Sequence, residues 1–125
     1  MTAAVPEIVT VVRAMPARAL VLDGEAIALR PDGTPLPFQE TMRRFGRKLD
    51  IDRLTASLPI TPVFFDALYL DGDPLIDEPL SRRVTWLAEQ GASANLVPRL
   101  PTSDPDAAAA FAGRALAAGH EGVMA

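Results

Sequence analysis

The chain has 125 residues, 49% of them apolar, with a formal net charge of −4 and no cysteine. That length holds one small domain or part of a larger one, and the apolar fraction excludes a disordered chain. The lack of cysteine excludes disulfides, thiol catalysis and cysteine-ligated metals, and the mildly acidic balance argues against an autonomous nucleic-acid binder, whose footprint is usually basic.

Residues Pro6 to Met15 read as a helix, with Pro early, Glu7 in the first turn, and Ile8, Val11 and Val12 at helical spacing. Leu20 to Leu29 reads as a strand that carries two carboxylates in its middle. Pro31-Asp32-Gly33-Thr34-Pro35 signals a turn. Phe38 to Leu49 is expected to be helical and holds the basic stretch Arg43-Arg44-Phe45-Gly46-Arg47-Lys48. Thr61 to Leu70 is a second strand, closed by the turn Asp71-Gly72-Asp73-Pro74. Ser81 is expected to cap a helix running to about Gln90, with Gly91 as its stop. Leu96 to Leu100 is a short strand candidate. Asp104-Pro105 opens an Ala-rich helix that ends near Gly119, and Glu121 to Ala125 begins another strand. Strands alternating with helices predict an α+β or α/β domain. No stretch approaches the ~18 continuous apolar residues of a membrane span. No basic segment followed by an apolar run opens the chain, so a cytoplasmic protein is expected.

Several residues carry possible chemistry. Asp23 and Glu25 are two apart, which on a strand places both carboxylates on one face. Gly24 between them permits close approach of a backbone or a ligand. Such a pair suits a divalent cation or a ribose, or equally a solvated turn. Phe65 adjoins Asp66 in an apolar strand. An aromatic there can stack on a purine, but alternation sends Phe64 and Phe65 to opposite faces, so only one of them faces a ligand. Asp66 is costly to bury alone, so it faces the same cleft or is satisfied by Arg or backbone groups. Glu121 is a possible metal ligand or an ordinary loop residue. His120 is the one histidine and has no partner set for a zinc site. Arg43, Arg44, Arg47 and Lys48 form either a phosphate-binding patch or a solvated helix face, and Arg82-Arg83 is ambiguous in the same way.

Order and spacing then add a resemblance. Leu22-Asp23-Gly24-Glu25 resembles motif III of the ATP-dependent DNA ligases. Phe65-Asp66-Ala67-Leu68-Tyr69 resembles their motif IIIa, and Glu121-Gly122-Val123-Met124 the start of motif IV. Phe38-Gln39-Glu40 and Pro79-Leu80-Ser81-Arg82-Arg83 are similar to the connecting segments of the same family. Capping enzymes and RNA ligases share the general scheme, but Phe-Asp-x-Leu-Tyr with Pro-Leu-Ser-Arg-Arg favours DNA ligase. The resemblance covers almost the whole chain.

It implies a partial nucleotidyltransferase fold, the ATP-grasp-like adenylation domain, with antiparallel-rich sheets and flanking helices. It also implies ATP and Mg2+ as cofactors and nicked double-stranded DNA as the partner of the full-length protein. Nicks would be sealed through lysyl-AMP and DNA-adenylate intermediates, in repair, replication or recombination. Carried over by residue, Glu25 would contact the nucleotide ribose or the metal, Phe65 would stack on adenine, and Glu121 would bind magnesium. No catalytic residue is assigned, because the family nucleophile lies in Lys-x-Asp-Gly and that string does not occur. Lys48 is the single lysine and follows motif III. Residues 1–125 are therefore expected to be a part of the adenylation domain, without the Lys-x-Asp-Gly part, motif V or the oligonucleotide-binding domain, and inactive alone. The alternative is a non-catalytic remnant that binds nucleotide or DNA weakly.

Overall fold

In the computed structural model, which describes residues 2–45 and 51–124, an antiparallel ladder joins β1 (Leu20–Ala28) to β2 (Ile60–Leu70). β-Branched and aromatic residues dominate β2, which suits a pleated, half-buried surface, whereas β1 alternates Leu20 and Leu22 with exposed residues. β2 turns at Asp71-Gly72 into the two-residue strand β3 (Asp73–Pro74), giving the sheet order β1-β2-β3. Asp71 and Gly72 have φ values of 47° and 119°. Asp71 also ties the turn to the entry of β1: its Oδ1 accepts from the N–H groups of Arg18 and Ala19 at 2.8 and 2.7 Å.

One side of the sheet carries the core. Here α1 (Pro6–Arg13) and α4 (Leu80–Glu89) bring Val11, Val12, Trp86 and Leu87 against Leu20, Leu22, Phe64 and Ala67, with Met15 and Leu75. Full burial of a side chain such as Leu87 stabilises by about 1.5–3 kcal/mol. A polar anchor ties α1 to two further elements. The Arg44 side chain on α2 (Phe38–Phe45) is 1% exposed. It donates to Glu7 of α1 at 3.2 and 3.3 Å and to Thr55 Oγ1 of α3 (Ile51–Ser57) at 2.6 Å. The Thr41 hydroxyl accepts from the N–H of Ala28 at 3.1 Å and so docks α2 on the end of β1. α5 (Pro105–Ala117) starts as expected, with Asp104 accepting from the Asp106 N–H at 2.9 Å.

The helix from Phe38 is described to Phe45, and its expected remainder to Leu49 lies outside the described residues. The elements otherwise match the sequence reading in kind and order, with four differences. A separate helix at 51–57 follows that the sequence reading did not anticipate. Ser81 is not a cap: α4 starts at Leu80, and the N–H groups of Arg82 and Arg83 donate to the Pro79 carbonyl at 2.9 and 3.2 Å. The expected strand at 96–100 is reduced to a single parallel bridge of Leu96 to Phe64. Pro98 has no N–H with which to extend a ladder. Residues 121–124 form no strand, and no described strand pairs with them.

Candidate nucleotide site on the open sheet

Leu20 and Leu22 point into the core, and Val21, Asp23 and Glu25 are exposed, so β1 alternates as a half-buried strand does. Asp23 and Glu25 therefore share a solvent-facing side. Across the ladder Asp23 stands opposite Asp66 and Glu25 opposite Val63. Gly24 between them is required by the close approach of β2. A Cβ there would lie 2.6 Å from the Val63 carbonyl oxygen and 2.9 Å from Cδ1 of Phe64.

Phe64 and Phe65 divide as the alternation argument requires, but with a bulge. Phe64 is in the core and Phe65 is half-buried outside that cluster. The pairing steps from Asp23–Asp66 to Gly24–Phe64, so Phe65 has no partner on β1. A bulge of this kind leaves one residue unpaired and re-aims a side chain.

Asp66 proves structural. Arg83 of α4 forks its carboxylate, Nε to Oδ1 at 2.8 Å and NH2 to Oδ2 at 2.9 Å, and the Ala67 N–H donates to Oδ1 at 2.8 Å. These hydrogen bonds, Arg83 foremost, hold the Asp66 carboxyl below the usual carboxylate range against the opposing effect of burial. Arg83 also donates to the carbonyl of Glu78 at 2.5 Å. Its neighbour Arg82 lies over the Trp86 ring, 5.0 Å from the centroid, and pairs with Glu78 at 3.3 Å.

The basic stretch on α2 is likewise not a phosphate patch among the described residues. Arg44 is buried on Glu7, and Arg43 pairs on the surface with Glu40 at 2.7 Å. Arg47 and Lys48 lie outside the described residues.

Glu121 is exposed in the irregular segment after α5, as is His120. That segment begins beside the far end of β1: a Cβ on Gly119 would sit 4.0 Å from Cγ of Pro35, and Pro35 bridges Leu29. Among the described residues neither Glu25 nor Glu121 has a hydrogen-bond or ion-pair partner. Carboxylates left free in this way suit a hard cation that takes oxygen ligands. No three His, Asp or Glu side chains cluster among the described residues, so a Mg2+ ion held by Glu25 or Glu121 would complete its shell with water and phosphate oxygens. Two surface hollows of about 450 and 480 Å3 lie elsewhere, beside Arg30 and Pro59 and beside Met15 and Arg18.

The sequence reading missed Arg99. Its guanidinium donates to the Phe65 carbonyl. The one sequence signal was the two-residue spacing of Asn95, Val97 and Arg99. All three donate to β2: Asn95 to the Pro62 carbonyl at 2.9 Å, the Val97 N–H to that of Phe64 at 3.0 Å, and Arg99 to Phe65.

The fold is thus an α+β domain whose antiparallel sheet turns one face to the core and leaves free carboxylates on the other. Residues 1–125 match the family model described as "ATP dependent DNA ligase domain", and the chain belongs to that family. It is 59% identical over 124 residues to a "Probable DNA ligase" of Anaeromyxobacter sp. (strain Fw109-5), covering 99% of this chain and 24% of that relative. A "Probable DNA ligase" of Sorangium cellulosum is 54% identical, and one of Mycolicibacterium paratuberculosis 51%, again over 99% of this chain. The chain therefore spans about a quarter of the curated relatives it matches. Among solved structures it is similar to a "mycobacterial DNA ligase D complexed with ATP and MES". That similarity has a TM-score of 0.55 and 30% identity, and covers 82% of this chain and 30% of that one. The architecture is accordingly a partial nucleotidyltransferase fold of the DNA ligase kind.

Proposed function

We propose that this chain is the central part of the adenylation domain of an ATP-dependent DNA ligase, and that its open sheet face forms one wall of the ATP site. The observation that carries the proposal is the contrast between the carboxylates of the motif segments. Asp66 is fully engaged by Arg83 and Ala67, whereas Glu25, on the exposed side of β1, has no partner among the described residues. A carboxylate held on a rigid strand with its lone pairs free is placed to receive a ribose hydroxyl or a cation. Phe65, unpaired at the bulge, supplies an aromatic surface for adenine, and Glu121 a second oxygen donor. Bound Mg2+ would neutralise charge building on the phosphates.

The reaction proposed for the whole ligase is transfer of AMP from ATP to a lysine, then to the 5′-phosphate of nicked double-stranded DNA, with sealing by the 3′-hydroxyl. Repair, recombination or replication in the cytoplasm is the proposed setting. No helix among the described residues is long and apolar enough to cross a membrane. In the 125-residue chain Lys48 is the single lysine and does not stand in Lys-x-Asp-Gly. The chain alone is expected to form no covalent adenylate.

Two measurements test this reading. α-Labelled ATP should leave no SDS-stable label on the 125-residue chain, and labelling of Lys48 would refute its inactivity. In the whole ligase, Glu25→Gln should lower adenylate formation roughly 10–100-fold, the range seen when groups supporting a metal or ligand are removed. An unchanged rate would remove Glu25 from the site.

A further inference from the structure

The bulge at Phe65 is secured from outside the sheet. Successive carbonyls of a regular strand point to opposite edges, yet the carbonyls of Phe64 and Phe65 both accept from the 95–99 segment, one from the Val97 N–H and one from the Arg99 guanidinium. The register step fits this, because Phe65 is skipped in the pairing with β1. Arg99 gives its carbonyl a hydrogen-bond donor from outside the sheet. Immediately after the bulge, Arg83 fixes Asp66 through two parallel hydrogen bonds, a pairing with defined direction as well as strength. The bulged residue is therefore held by one guanidinium at its own carbonyl and by another at the next side chain, from two different elements.

We infer that Arg99 and Arg83 are positioning residues that set the direction of the Phe65 ring, and through it the fit of the nucleobase. The inference rests on the proposed stacking of Phe65 on adenine. Arg99 is the more informative of the two, because it is exposed and makes one described hydrogen bond to the strand, so its removal leaves the core intact. Arg83 also anchors α4, so its loss would mix positioning with stability.

The test uses the whole ligase and measures adenylate formation against ATP concentration, separating KM for ATP from the rate at saturation. Base–aromatic stacking on the scale seen in nucleic-acid sites predicts that Phe65→Ala raises KM about tenfold. Arg99→Ala should raise KM about threefold to tenfold with the saturated rate within about twofold, because the ring remains but its direction is lost. Arg99→Lys, which restores a donor to the Phe65 carbonyl, should return KM most of the way to the parent value. Thermal midpoints are read in parallel, and all assays run below the lowest of them. If Phe65→Ala raises KM and Arg99→Ala does not, the positioning inference is overturned and the stacking proposal stands. If Phe65→Ala leaves KM unchanged, the stacking proposal fails and the inference falls with it. A loss of saturated rate in Arg99→Ala without a change in KM would also overturn the inference, since it would place Arg99 in the chemical step.

Discussion

Gly24→Ala is the sharpest test of how the candidate strand is built. The added Cβ would lie 2.6 Å from the Val63 carbonyl oxygen, 2.9 Å from Phe64 Cδ1 and 3.1 Å from Phe64 Cα. A carbon meets a carbonyl oxygen comfortably at about 3.3 Å, so the strands must part by about 0.7 Å or twist locally. Neither neighbour yields easily. Val63 offers backbone within the β1–β2 ladder, and Phe64 is a core side chain packed with Met15, Ala67, Leu75 and Leu87. Overpacking of this kind costs about 1–3 kcal/mol. The stiffer unfolded chain of alanine offsets at most about 1 kcal/mol. The net expectation is a loss of roughly 1–2 kcal/mol. Gly113, inside α5, is the internal control, because a Cβ there meets nothing within 4 Å. Gly113→Ala should stabilise by roughly 0.5–1 kcal/mol, the ordinary gain from replacing a mid-helix glycine. Urea unfolding followed by the fluorescence of Trp86, the one tryptophan, which packs against the core, reads both variants. Opposite shifts of the two midpoints are expected. A Gly24→Ala midpoint at or above the parent's, with an unchanged m-value, would refute the claim that close strand approach fixes glycine at this position.

Other perturbations separate structural from functional charge. Arg44→Met should cost about 3–5 kcal/mol, because Glu7 is left half-buried without its cation and the three-helix anchor is lost; a midpoint within error of the parent's in the same denaturation would contradict this. Asp66→Asn should lower stability at pH 7 by about 1–3 kcal/mol. The Asp66 carboxyl is depressed in the folded state, so its contribution is full above the unfolded carboxylate pKa and is lost as pH falls through the lowered folded value. The parent should thus lose stability on acidification below about pH 4, and Asp66→Asn should show a shallower acid limb; parallel limbs would show that Asp66 is not coupled to folding. Arg43→Ala, which removes only the surface pair with Glu40, should change stability by less than about 0.5 kcal/mol, and a loss comparable to that of Arg44→Met would overturn the division of the basic stretch into one buried and one solvated arginine.

What the sequence disclosed and what it withheld follow from the range of the interactions involved. The strand around Asp23-Gly24-Glu25 and the strand holding Phe64-Phe65 were legible because alternation and β-propensity are local, and the Asp104-Pro105 opening of α5 was legible because a cap acts over two residues. The roles of the charged residues were not, because each partner is remote in the chain. Asp66 finds Arg83 across 17 residues, Arg44 finds Glu7 across 37, and Arg99 reaches the Phe65 carbonyl across 34. Read along the chain, Arg43 and Arg44 are one basic pair; folded, one is a surface ion pair and the other a buried anchor. The same folding step that engages these charges leaves Glu25 unengaged among the described residues. The ladder fixes its backbone opposite Val63, alternation turns its side chain away from the core, and no guanidinium among the described residues pairs with it. A fold that engages Asp66 and Glu7 and leaves Asp23 and Glu25 open among the described residues has separated the carboxylates that tie its elements together from those free to meet a ligand, and that separation directs the functional experiments to the exposed side of β1, with Glu25 first as the residue proposed to meet the nucleotide.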